Sequence, residues 1–169
     1  MAPVLEVVDR GTVLRFGLQD LTRYHGPLAP GGVAHGFAAM RRAWPLLCSD
    51  GPPERREIRL DTAFPGPGAR DAVELVTRAV TEGRYVVDLA LGRPDRGPAM
   101  ERYVFRFGLG DVVVRLEVRE GVVTDEFDAL ARTVDPTPAQ EALLTVLKRE
   151  MAERIHAMPP EDVYDVVET

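Results

Sequence analysis

Cysteine occurs once in the 169 residues, at Cys48, which excludes an internal disulfide or a multi-thiolate metal knuckle built from this chain. Histidine occurs three times, so imidazole chemistry rests on His25, His35 or His156. No apolar run approaches the roughly 20 residues of a membrane-spanning helix. The start, Met1-Ala2-Pro3-Val4 followed by Glu6, Asp9 and Arg10, lacks the basic and apolar regions of a secretory signal. A cytoplasmic protein is therefore expected. Basic residues are outnumbered, 21 Lys plus Arg against 27 Asp plus Glu, for a net charge of −6. That balance argues against nucleic acid or an anionic membrane as partner and leaves small molecules open.

What the chain does have is enough apolar residue, 45%, for a single folded core. Val13, Leu14 and Phe16 suggest a first short strand, followed by a helix from Leu18 to His25 that ends at Gly26. Pro27, Pro30, Gly31 and Gly32 then mark a turn. From Val33 on, Val33, Phe37, Met40, Trp44 and Leu47 recur at helical steps, and Pro45 with Ser49 to Pro53 should end that helix. Ile58 and Leu60 alternate with charges in a strand over Arg56 to Thr62. A Gly-Pro turn leads into a helix from Ala69 to Glu82, with Gly83 at its C-cap and Glu74 four residues before Arg78. Strands are predicted over Arg84 to Leu91, from near Glu101, and over Val112 to Val118, the last two as a hairpin about Gly108 to Asp111.

Thr137-Pro138-Ala139-Gln140 is a capping box with proline at the first helical position. The long helix it opens carries Leu144, Leu147, Met151, Ile155 and Met158 on one stripe up to Pro159-Pro160. This stripe either covers the domain's own sheet or serves a partner chain. A last short helix is expected from Glu161 to Val167. The sum is a single α+β domain with a mixed, mostly antiparallel sheet and helices packed on it.

Chemistry concentrates in Tyr24-His25-Gly26-Pro27-Leu28-Ala29-Pro30-Gly31-Gly32, a turn that feeds a helix N-terminus. Gly31 and Gly32 allow a ligand close to the backbone, the helix end favours an anion, and His25 has the pKa range of a general acid or base. The competing reading is a tight turn whose histidine satisfies a backbone group. Asp71 opens another helix, where it joins the site or simply meets the helix dipole. His35, one turn into its helix, is a second candidate ligand-binding residue or a plain core histidine. Arg102 and Arg106 flank aromatic strand residues, either solvated or lining a pocket, where they would suit a carboxylate. Cys48 reads as a small buried residue, and His156 as a helix-end cation. No P-loop, serine elbow or dinucleotide fingerprint is present, and Gly66 with Gly68 lacks the third glycine, so no cofactor is expected.

The turn, with Gly68-Ala69-Arg70-Asp71-Ala72-Val73-Glu74 and the tail Asp135-Pro136-Thr137-Pro138 through Pro159-Pro160-Glu161-Asp162-Val163-Tyr164, resembles the core domain of the FmdE family of formylmethanofuran dehydrogenase components over about Gln19 to Val167. The resemblance implies a homodimer of FmdE-like α+β domains. It also places transition-metal ligands at positions that hold Pro27, Ala29 and Gly68 here, none of which has a donor, so no family-type metal site is expected. Three functions stay open. The leading one is a metal-independent isomerase, cyclase or lyase acting on a small-molecule substrate, with His25, Tyr24 and Asp71 as its acid–base group. The others are a non-catalytic accessory or binding component, and a metal protein with a rearranged site using His25, His35 and carboxylates.

Overall fold

The computed structural model describes residues 1–168. Strands β1 (Val4–Asp9) and β2 (Thr12–Gly17) form an antiparallel hairpin closed by Arg10 and Gly11, whose φ values of 51° and 84° are the two positive angles a type I′ turn requires. Helices α1 (Leu18–His25) and α2 (Pro30–Leu47) come next, then β3 (Arg59–Thr62), α3 (Pro67–Thr77) and β4 (Tyr85–Val87). The chain continues through β5 (Val104–Leu109), β6 (Val112–Val118), α4 (Asp125–Ala131), α5 (Pro138–Ala157), α6 (Pro160–Val163) and β7 (Tyr164–Val167). The main sheet has the order β4-β3-β5-β6-β7, antiparallel except for the parallel pair β3–β4. The architecture is the expected α+β, with two mostly antiparallel sheets and helices packed against them. No helix among the described residues is long and apolar enough to cross a membrane.

One face of the main sheet carries Leu60, Phe105, Phe107 and Leu116, all fully buried, and α2 lies across it with Trp44 edge-on to Phe107 at 5.5 Å. The opposite face is charged. Arg106 donates to Asp61 at 2.6 Å across the strands, and Glu117, with a side chain only 5% exposed, accepts from Arg93 at 2.9 Å and from Arg115 at 3.2 Å. Such a buried carboxylate is tolerated because several guanidinium donors replace its water.

Helix α2 is buried on nearly every side, because α3 and α5 cover what the sheet leaves open. Its contact with α3 is made of small residues: a Cβ at Gly36 would lie 3.0 Å from Ala72 Cβ and 3.1 Å from Ala69 Cα. A Cβ at Gly68 would lie 2.6 Å from the Ala29 carbonyl oxygen and 2.8 Å from Val33 N. This close seam brings the N-termini of α2 and α3 side by side, and that juxtaposition positions the candidate site.

Several elements depart from expectation. β1 precedes the first expected strand; only Leu5 and Val7 of it are buried, too short an alternation to stand out. Helix α2 starts at Pro30 rather than Val33, since proline suits a first helical position, and runs two residues past Pro45, which sits in the last turn where little of the helix remains to be broken. Helix α3 stops at Thr77, where Arg78 turns left-handed with φ of 60°. Glu74 is the cause: it pairs not with Arg78 but with the turn, accepting the N–H groups of Val80 at 2.7 Å and Thr81 at 3.1 Å. Strand β4 ends at Val87, and Leu89–Leu91 and Pro94–Arg96 are single 3₁₀ turns. β5 begins at Val104, not near Glu101. The expected last helix shrinks to α6, after which Tyr164 and its neighbours pair with β6 as a strand. Only Met151 and Ile155 of the α5 stripe are buried, and α5 packs on α2.

Candidate binding site

His25 closes the C-terminal end of α1, and its ring crosses to α3. Its Nδ1 lies 2.8 Å from Asp71 Oδ2, and its Nε2 accepts the backbone N–H of Ala29 at 3.2 Å. The second contact makes Nε2 an acceptor, so Nδ1 carries the proton and donates to the carboxylate. The side chain is 3% exposed. The imidazole thus ties three pieces together, α1, the turn before α2, and the first turns of α3. Asp71 also accepts from Arg70 at 3.3 Å. Tyr24 points elsewhere, 53% exposed, into a shallow groove with Phe16 and Arg55.

Ala29 and Gly68 touch here, and His25 bonds the Ala29 N–H. They do not fit a metal. Pro27, Ala29 and Gly68 offer no side-chain donor atom, and the space a side chain at 68 would need is filled by α2 backbone. Among the described residues there is no cluster of three or more His, Cys, Asp or Glu that could hold a metal ion.

On the other side of the same turn lies a cavity of about 380 Å³. Its floor is the paired helix ends, with Gly31 and Gly32 from α2 and Gly66 and Gly68 from the approach to α3. Phe64, Tyr103, Phe127 and Met151 form apolar walls. Arg102, Lys148 and Arg132 stand around it with Asp128 as the acid among them, and Arg132 donates to Asp128 at 2.9 Å. Tyr103 is only 8% exposed, and its hydroxyl makes no hydrogen bond to another side chain or backbone group among the described residues. Burial pushes that phenol well above the ordinary tyrosine range, with Asp128 adding to the effect and Arg132 opposing it.

Behind this wall sits His35, fully buried, with its ring 4.5 Å from that of Tyr103 and 6.4 Å from Phe64. Its Nδ1 is 2.6 Å from the Tyr164 hydroxyl, while Nε2 has no partner among the described residues. Burial, helped by the charge of Arg154, lowers its pKa to about 3. His35 therefore supports the wall from the core and stays neutral.

Of the residues singled out from sequence, Gly31, Gly32 and Arg102 line the cavity, whereas His25, Tyr24, Asp71 and His35 do not. Arg106, read alongside Arg102, pairs with Asp61 on the far face of the sheet. Sequence reasoning missed Tyr103 as a site residue, along with Phe127, Arg132 and Lys148. One signal was available for the last: Lys148 is the only lysine in a chain with 21 basic residues. No family model matches the chain, and no curated protein matches it.

Proposed function

We propose that this protein binds a small organic molecule in the cavity where the N-termini of α2 and α3 meet. The observation that carries the reading is the character of that cavity: apolar on most sides, within the usual range of about 300–1,000 Å³ for ligand sites, and equipped with a few polar groups. His25 and Asp71 lie outside the cavity and serve stability, tying α1, the turn before α2 and α3 together. The acid–base role expected of His25 has no place in this reading, because both ring nitrogens are engaged and the ring lies outside the cavity. Among the classes open from sequence, the closest is the binding module.

The test is a fragment screen by ligand-detected NMR against the protein and its Ala131→Trp variant. Ala131 lies on the cavity rim and is exposed, so an indole there covers the opening without entering the core. Hits that vanish in the variant, with its fold unchanged by circular dichroism, support the reading. Hits that bind both forms equally overturn it.

A further inference from the structure

We infer that the ligand is an organic monoanion, a carboxylate on an aromatic or branched aliphatic body, with its charged end at the paired helix N-termini. This rests on the binding reading and names the chemistry of its ligand. Helices α2 and α3, of 18 and 11 residues, both begin without a side-chain cap and without an acidic residue in the first turn. Pro30 and Pro67 have no N–H, and Val33 and Arg70 donate to the Ala29 and Gly66 carbonyls, so the first-turn N–H groups left without a protein acceptor include those of Gly31, Gly32 and Gly68, which line the cavity where the two helix ends lie side by side. A second observation is independent of the helix ends. Tyr103, more than nine-tenths buried, lines the same cavity and leaves its hydroxyl unpartnered and protonated, a donor held in place for an acceptor.

Charge around the cavity runs against the charge of the chain. The molecule carries −6, yet three cations and one carboxylate face this space. Arg132 is tied to Asp128, while Arg102 and Lys148 form no ion pair among the described residues. Asp128 disfavours a doubly charged headgroup, which selects a carboxylate over a phosphate monoester. The walls of Phe64, Phe127 and Met151 suit a ring or branched chain for the remainder.

The experiment uses 3-phenylpropanoate and its neutral isostere 3-phenylpropanamide as probes, titrated to millimolar concentration against the ¹⁵N-labelled protein. The expected result is that the acid shifts the Gly31, Gly32 and Gly68 amides and binds about tenfold or more tightly than the amide. Lys148→Gln and Arg102→Gln should each reduce that preference. Equal binding of acid and amide at those glycines overturns the carboxylate and leaves the binding reading standing. If neither compound perturbs those amides, both are overturned, and a preference for the acid that survives in both variants removes Lys148 and Arg102 from recognition.

Discussion

The turn from Gly26 to Gly32 has two flanks, and they treat polar groups in opposite ways. On one flank His25 has both nitrogens engaged, one with Asp71 at 2.8 Å and one with the Ala29 N–H at 3.2 Å. On the other flank the Tyr103 hydroxyl has no hydrogen-bond partner among the described residues but is not sealed from solvent, and the exposed Arg102 and half-buried Lys148 form no ion pair there. A buried polar group costs free energy unless it is satisfied. The first flank is therefore complete within the chain, and the second leaves its polar groups open to the cavity. The residue with the most conspicuous chemistry in the sequence holds the structure together, while a tyrosine at the foot of a strand and the single lysine line the cavity.

The largest effect lies behind the cavity wall, at His35. The unfolded chain protonates this histidine below about pH 6.5 and the folded chain only near pH 3, so the unfolded state binds more protons between those values. Stability should be full above pH 6.5 and fall as pH drops, by on the order of 4 kcal/mol at pH 3 from this residue. Urea denaturation across that interval measures it, and the His35→Gln variant should show a flatter profile. An unchanged slope in that variant would place the acid sensitivity elsewhere.

Next in size is Gly68→Ala. The added methyl meets the Ala29 carbonyl and Val33 N at 2.6 and 2.8 Å, and backbone atoms of a packed helix cannot step aside. The expected loss is about 3 kcal/mol. Gly31→Ala is the control, because its methyl crowds only the flexible end of Met151 and meets the Lys148 carbonyl at an ordinary 3.6 Å, and its stability should change little. A tolerated Gly68→Ala would mean the two helix ends are not locked together.

His25→Ala comes third. It leaves the Ala29 N–H and the Asp71 carboxylate without their common partner, for a loss of about 2 kcal/mol, reduced from a fully buried case because Asp71 is 26% exposed. Ligand binding should persist where the variant remains folded. Smallest are Lys148→Gln and Arg102→Gln, at positions that make no ion pair among the described residues, with stability changes within about 0.5 kcal/mol. Thermal unfolding of all three, side by side, orders them.

Much of the fold was legible in the residues alone. Local signals located α1 from Leu18 to His25, the β5–β6 hairpin and the capped start of α5, because each depends on neighbours a few residues apart. Elements with few buried residues were harder to see: β1 buries Leu5 and Val7, and α4 buries none, held instead by Thr124 accepting the Phe127 N–H at 3.2 Å. β7 looked helical because Pro160 starts a true helical turn, and only pairing with β6 converts the next four residues into a strand. The site divides along the same line. Gly31, Gly32 and Arg102 could be proposed from a turn and a strand pattern, whereas the partner that occupies His25 lies 46 residues away and Tyr103 and Lys148 line one cavity only through the packing of α5 beside α2. Whether a histidine is free or engaged is a tertiary fact.

The most direct measurement sets His25→Ala and Lys148→Gln against each other, recording melting temperature and affinity for 3-phenylpropanoate in both. The expected pattern is crossed, with His25→Ala melting lower and binding as the parent does, and Lys148→Gln melting as the parent does and binding weakly. Loss of binding in His25→Ala at unchanged melting temperature, with full binding in Lys148→Gln, would contradict the division of labour between the two flanks and return the chemistry to the histidine.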